Sequence, residues 1–142
     1  MKLRILLVDD DQSILDVTRT FFEARGHEVI TAANPTLLPV CYGRECNQAH
    51  PCADMVLIDF SMPRMTGLEF LELQESRGCK LTAANKFIMT GEPGKVDPER
   101  AKKVSCRVLA KPVVFAQLDE LLKQVKSQLS PDRKLADLSY KL

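Results

Sequence analysis

An uninterrupted apolar run that ends in a carboxylate constrains the fold of this 142-residue chain more than any other feature. The run covers residues 55–58 and leads directly into Asp59, while Pro63 and Gly67 follow closely. Such a run predicts a strand that is buried on both faces, as in a parallel sheet. A charge at the carboxyl end of a buried strand is costly unless it has a use, and ligands bind along that edge of open parallel sheets. We therefore take Asp59 as the candidate reactive residue.

Strand-like segments alternate with helical patterns along the whole chain. The predicted strands cover residues 3–8, 27–33, 55–59, 87–89 and 107–110, the first central and the second near a sheet edge. This alternation predicts an α/β fold with a doubly wound, five-stranded parallel sheet. Residues 1–129 are expected to form this domain, and residues 130–142 a tail that is either a solvated extension or a segment for docking a partner.

The helical patterns differ in clarity. Ile14, Val17 and Phe21 recur at helical spacing behind Asp11 or Ser13, and either of these two is a candidate N-cap. Residues 34–53 contain three prolines, so a helix there is expected to be short or irregular. The last helix presents one apolar stripe, which we expect to face the core: Phe115, Leu118, Leu121, Leu122, Val125 and Leu129.

Charge and composition exclude several classes of protein. The net charge of +1 gives no indication of a nucleic-acid or membrane surface, and we expect neither as a direct partner. The apolar runs are much shorter than a membrane span, and no export signal opens the chain, so a cytoplasmic location is expected. Five cysteines, an odd number without an export signal, argue against a disulfide framework.

Five polar side chains fall at predicted strand ends. Right-handed crossovers place all these ends on one edge of the sheet, so Asp9, Asp10, Asp59, Thr90 and Lys111 are expected to lie together. Three neighbouring carboxylates repel one another, so either their pKa values rise or a cation joins them. Oxygen ligands favour a hard ion such as Mg²⁺.

The same set suits a phosphoryl group, because phosphoryl transfer depends mainly on positioning and charge neutralisation. A carboxylate can act as the nucleophile and form an aspartyl phosphate. We therefore expect Asp59 to attack, Asp9 and Asp10 to hold the metal, and Thr90 and Lys111 to bind phosphoryl oxygens.

With these residues the chain resembles a known family, the CheY-like receiver domain of response regulators, in its single-domain type. The resemblance covers residues 2 to about 129 and implies the flavodoxin-like strand order 2-1-3-4-5. It depends on four segments in this order: residues 7–11 (LVDDD), 59–67 (DFSMPRMTG), 89–91 (MTG) and 111–112 (KP).

The resemblance implies a role in a two-component phosphorelay. A sensor histidine kinase or phosphotransfer protein would phosphorylate Asp59 with Mg²⁺ present, and the backbone carbonyl of Ser61 would join the acids as a metal ligand. The protein would then be no enzyme beyond catalysing its own phosphorylation and dephosphorylation. The resemblance also implies a cis Lys111–Pro112 bond, and lifetimes of the phosphoryl group tuned at Ser61 and Glu92.

The implied switch pulls Thr90 toward the phosphate and rearranges the face made by the fourth helix, the fifth strand and the fifth helix. A downstream protein partner is also implied. The sequence departs from this pattern at Val108, where the family usually has an aromatic switch residue. Valine has a single side-chain torsion, so a ring swing cannot be the read-out here. Residues 34–53 are also longer than the second helix of similar domains.

Other functions remain open or are disfavoured. A receiver-like binding module could signal without phosphorylation, through a zinc or redox role of the loop that holds Cys41, Cys46, His50 and Cys52. An aspartyl phosphatase of the dehalogenase type would need a second Asp where Ser61 stands. A nucleotide-binding Rossmann protein would need a glycine-rich loop where three acids follow the first strand.

Overall fold

The computed structural model describes residues 1–35, 46, 48–81 and 85–138. Its strands are β1 (Arg4–Val8), β2 (Glu28–Ala32), β3 (Met55–Asp59), β4 (Lys86–Thr90) and β5 (Cys106–Ala110). They form one parallel sheet in the order β2-β1-β3-β4-β5. The predicted doubly wound α/β fold, its strand order and the edge position of the second strand are therefore confirmed.

Helices follow the strands in the order α1 (Gln12–Ala24), α2 (Gly67–Ser76), α3 (Pro98–Lys103) and α4 (Phe115–Gln128), with a short 3₁₀ turn at Pro93–Lys95. Asp11 caps α1 by accepting hydrogen bonds from the backbone N–H groups of Ser13 and Ile14. Most of the predicted irregular helix within residues 34–53 lies outside the described part of the chain. No helix in the described ranges is both long and apolar enough to cross a bilayer.

The two faces of the sheet build two separate cores. Leu6, Val56 and Ile88 pack on the side that α2 and α3 cover, whereas Leu7 and Leu57 pack on the side of α1 and α4. All five residues of β3 are buried, because this central strand is covered on both sides. This double coverage explains why the sequence of β3 is a continuous apolar run instead of an alternating one.

The apolar stripe of α4 is buried only in part. Leu118, Leu121, Leu122 and Val125 lie in the core as predicted. Phe115 does not, since 52% of its surface remains exposed, and its predicted core position is wrong. The residue is the first of the helix, and the centroid of its ring lies 4.7 Å from that of Phe21.

The segment after α4 packs back onto the amino end of the sheet. Ala136 and Leu138 are buried in the core, and the backbone N–H of Ala136 donates to Pro51 at 2.8 Å. Arg133 donates from Nη2 to the buried Asp54 at 2.6 Å and to the carbonyl of Lys2 at 2.9 Å. A solvated extension is therefore the wrong description for residues 133–138.

The ion pair between Arg133 and Asp54 yields a stability prediction. Arg133→Ala should lower the free energy of unfolding by about 2–4 kcal/mol, because the Asp54 side chain is 1% exposed and would lose its counter-charge. Urea denaturation measures the effect. The exposed neighbour Lys134 gives the control, and Lys134→Ala should change stability by less than about 0.5 kcal/mol. Equal midpoints for the two variants would show that the ion pair does not hold this segment.

Candidate functional site

Four strands deliver the candidate side chains to one edge of the sheet. Asp9 follows β1 directly, Asp59 and Thr90 are the last residues of β3 and β4, and Lys111 follows β5. Backbone pairing continues to this edge, where Lys111 N–H donates to the carbonyl of Thr90 at 2.8 Å. The rigid sheet therefore sets the spacing of these side chains.

The acids and the lysine converge as predicted. Asp9, Asp10 and Asp59 each place one carboxylate oxygen within 4.8 Å of the other two. Asp9 and Asp59 are buried, while Asp10 is exposed. Lys111 Nζ lies 2.9 Å from Asp9 Oδ2 and 3.0 Å from Asp59 Oδ1, so a single ammonium bridges the two buried carboxylates.

Burial and crowding shape the ionisation of this cluster. Burial raises the pKa of Asp59 to about 6, with the neighbouring Asp9 acting in the same direction and the hydrogen bond from Lys111 acting against it. Burial alone would lower the pKa of the Lys111 ammonium. Its hydrogen bonds to Asp9 and Asp59 outweigh burial and hold that pKa above the ordinary value of 10.5. One lysine thus compensates the three acids only partly.

The donor set suits a hard divalent cation. It consists of carboxylate oxygens, the ligands that Mg²⁺ prefers, and exposed Asp10 leaves the set open to water, which Mg²⁺ usually retains. Within the described ranges this is the only group of three or more acidic, cysteine or histidine side chains close enough to share an ion. Cys46, His50 and Cys52 therefore do not converge on a metal there, and Cys41 lies outside the described residues.

Thr90 and Ser61 flank the cluster. Thr90 is buried, and its Oγ1 accepts a hydrogen bond from the backbone N–H of Glu92 at 3.0 Å, which leaves the hydroxyl proton for another acceptor. The side chain of Glu92 pairs with Lys95 at 2.8 Å. Ser61 is exposed two residues beyond Asp59, and its role as a carbonyl ligand stays a prediction.

The peptide bond between Lys111 and Pro112 is cis, which confirms the expectation from the family resemblance. Val108 lies on β5 opposite Ile88 and is partly buried against the core. It offers no aromatic ring at the position where the family usually carries one.

The turn after β3 contributes two features that the sequence did not disclose. Arg64 adopts a left-handed backbone with φ of 74°. Gly67 lies so close to the end of β3 that a Cβ atom there would be 2.5 Å from the carbonyl oxygen of Asp59. Pro63 and Gly67 predicted a turn from the sequence. Only the coordinates show that the backbone of Gly67 packs directly against the carbonyl group of Asp59, the candidate nucleophile.

Gly67→Ala should therefore displace the backbone at Asp59. We expect it to lower the free energy of unfolding by about 1–3 kcal/mol, because overpacking against rigid backbone forces a shift. Thermal denaturation measures the loss. Gly94→Ala is the matched control, since a Cβ at Gly94 meets no atom within 4 Å. Equal stability of the two alanine variants would contradict the close approach.

Comparison with known protein families identifies the family to which the chain belongs. Residues 5–126 match the family model of the response regulator receiver domain. The chain therefore belongs to the response regulator receiver domain family.

Curated relatives agree with this assignment. The chain is 27% identical over 128 residues to the polar-differentiation response regulator DivK of Brucella anthropi, covering 87% of this chain and 95% of that protein. It is 33% identical over 72 residues to a protein-glutamate methylesterase/protein-glutamine glutaminase of Thiobacillus denitrificans. That match covers 51% of this chain and only 19% of the length of the methylesterase.

Solved structures show the same architecture. A receiver domain protein from Clostridium thermocellum superposes with a TM-score of 0.69 at 25% identity, covering 88% of this chain and 94% of that one. The receiver domain of a sensor histidine kinase from Pseudomonas aeruginosa, described with a magnesium ion in its active site cleft, gives 0.68 at 20% identity. That superposition covers 90% of this chain and all of the other, and at this identity it shows the fold.

Proposed function

We propose that this protein is a phospho-accepting switch of a two-component phosphorelay, in which Asp59 receives the phosphoryl group. The observation that carries the proposal is the Lys111 ammonium within 3.0 Å of both Asp9 and Asp59, with Asp10 completing the acidic cluster. In a salt bridge that serves stability alone, one carboxylate is enough to balance the charge of one lysine. A cluster with surplus negative charge, open at Asp10, is instead suited to binding a cation and then a phosphoryl group.

The transfer is a displacement at phosphorus. A carboxylate oxygen of Asp59 forms a bond to phosphorus while the bond from phosphorus to the donor breaks. With a phosphohistidine donor, the electron pair of the P–N bond stays on the imidazole, which is then protonated by water. Dephosphorylation is hydrolysis of the aspartyl phosphate. The oxygen of a water molecule bonds to phosphorus, the electron pair of the Asp59 oxygen–phosphorus bond returns to the carboxylate, and phosphate leaves with the protons of the water.

The residues around Asp59 supply binding and charge. Asp9, Asp10, Asp59 and the carbonyl of Ser61 would hold Mg²⁺, which supplies neutralisation of the charge on phosphoryl oxygens. Lys111 can follow the developing phosphoryl group because its Nζ already contacts Asp59. Because the acceptor of the phosphoryl group is the protein's own side chain, the protein is not an enzyme beyond catalysing its own phosphorylation and dephosphorylation.

The read-out depends on Thr90. Its hydroxyl can donate to a phosphoryl oxygen on Asp59, and movement of β4 would pass to β5 and the helices on either side of it. Val108 cannot add a ring swing, so the surface around α3, β5 and α4 must respond through the backbone and packing. The partners are a sensor histidine kinase or phosphotransfer protein upstream and a protein partner downstream, in the cytoplasm.

Phosphorylation by a small donor tests the proposal without knowledge of the kinase. The purified protein is incubated with acetyl phosphate and Mg²⁺ and followed by intact mass spectrometry. We expect a mass increase of one phosphoryl group that requires Mg²⁺ and is lost on mild alkaline treatment, as acyl phosphates are. A folded protein that gains no mass would refute phosphorylation and favour a receiver-like binding module.

A further inference from the structure

A second charged side chain faces the approach to the acidic cluster. A cleft of about 530 Å³ opens beside Asp10, between the residues that follow β2 and the turn that follows β3. Among the described residues of its lining, Asp10 and Arg64 are charged, and the others are apolar or neutral, for example Ala33, Pro35 and Met65.

Arg64 is held there at a cost. Its φ of 74° lies in the left-handed region, which disfavours an arginine by about 1–2 kcal/mol relative to glycine, with asparagine also better suited. Its side chain is exposed and forms no ion pair with any carboxylate of the described residues. A strained, exposed residue whose charge has no ion-pair partner in the described part of the chain is a candidate for function.

Charge indicates what that function is. Three carboxylates and one lysine leave the site negative before a cation binds, whereas a phosphoryl donor is itself an anion. Bound Mg²⁺ would bring the sum of these charges to zero, so a further cation on the path of the donor would add a net attraction. Arg64 provides a guanidinium with no ion-pair partner among the described residues, on the wall of the cleft that leads to Asp10. A guanidinium is the side-chain group best suited to phosphate oxygens.

We propose that Arg64 is a donor-binding residue that draws anionic phosphoryl donors into the cleft beside Asp10 before transfer. The inference rests on the proposed phosphorylation of Asp59 and adds to it a residue that binds the anionic donor. Arg64 takes no part in bond making. Its effect lies in capture and orientation of the donor.

Initial rates of phosphorylation by acetyl phosphate, at saturating Mg²⁺, test this role in three variants. Arg64→Asn removes the charge but suits the left-handed backbone, and Arg64→Lys keeps the charge. Arg107→Gln is the matched control, since it removes one arginine charge near the amino end of β5, away from the cluster.

We expect Arg64→Asn to react about three- to tenfold more slowly at low salt, through a higher apparent KM with little change in maximal rate. Arg64→Lys should stay within about twofold of wild type, and the difference for asparagine should shrink in about 0.5 M KCl as screening increases. A purely structural role would instead change the unfolding midpoint and would not depend on salt.

Failure of the proposed function and failure of the proposed role of Arg64 give different results. If wild type gains no phosphoryl group, the proposed function itself is wrong. If wild type reacts and Arg64→Asn matches Arg107→Gln at low salt, the role of Arg64 is wrong while the proposed function stands. A wild-type rate that is independent of salt would also overturn the capture role.

Discussion

Lys111→Met is expected to lower the free energy of unfolding of the metal-free protein by about 3–5 kcal/mol near pH 8. The Asp9 side chain is fully buried, and Asp59 is nearly so, and both depend on the same ammonium. Methionine retains most of the aliphatic volume, so the loss isolates the charge. Loss of the ammonium would leave the buried carboxylates of Asp9 and Asp59 without a cation in direct contact in the described part of the chain.

Urea denaturation in the presence of a chelator measures this effect. Added Mg²⁺ should restore part of the lost stability, since a divalent cation can replace the ammonium as counter-charge. Lys95→Met is the control, because its ion pair with Glu92 is exposed and screened by solvent, so stability should be nearly unchanged. An equal and small loss in both variants would mean that Lys111 is an ordinary surface lysine.

The second large effect concerns Asp59→Asn, which should abolish phosphorylation and stabilise the metal-free protein by about 2–3 kcal/mol above pH 7. The sign follows from the raised pKa of Asp59, about 6 in the folded protein against 3.8 for the ordinary side chain. Between these values the folded state binds more protons than the unfolded chain, so wild type loses stability as the pH rises toward 6. Below about pH 4 both states are protonated and the difference between variant and wild type should vanish.

Thermal denaturation of both proteins from pH 4 to pH 8, in chelator, gives the comparison. Asp54→Asn serves as the contrasting variant, because Asp54 is buried against Arg133 and its loss should destabilise. If Asp59→Asn is less stable than wild type at every pH, the carboxylate of Asp59 stabilises the folded state, and the prediction that it destabilises the folded state is wrong.

The sequence predicted those parts of the fold that depend on pattern alone. The buried run before Asp59 identified the central strand, and the repeated strand–helix order placed Asp9, Asp10, Asp59 and Lys111 on one edge. These predictions succeeded because the two periods of strand and helix, together with right-handed crossovers, leave few topologies.

Other features depend on contacts between distant segments. The apolar spacing of α4 could not show that Phe115 stays half exposed, because periodicity identifies one face of a helix but not how far that face is covered. The pairing of Arg133 with Asp54 joins residues 79 positions apart. The left-handed backbone of Arg64 and the close contact of Gly67 with Asp59 depend on the geometry of one turn. The sequence of that turn does not determine its geometry, so neither feature could be predicted.

The most direct measurement is the position of the phosphoryl group after reaction with acetyl phosphate and Mg²⁺. Borohydride reduces an acyl phosphate of aspartate to homoserine, and fragment masses of the tryptic peptide that ends at Arg64 separate Asp54 from Asp59. Homoserine at position 59, and its absence without Mg²⁺, is the expected result. Homoserine at another aspartate, or a folded protein that carries none, would contradict Asp59 as the phosphoacceptor.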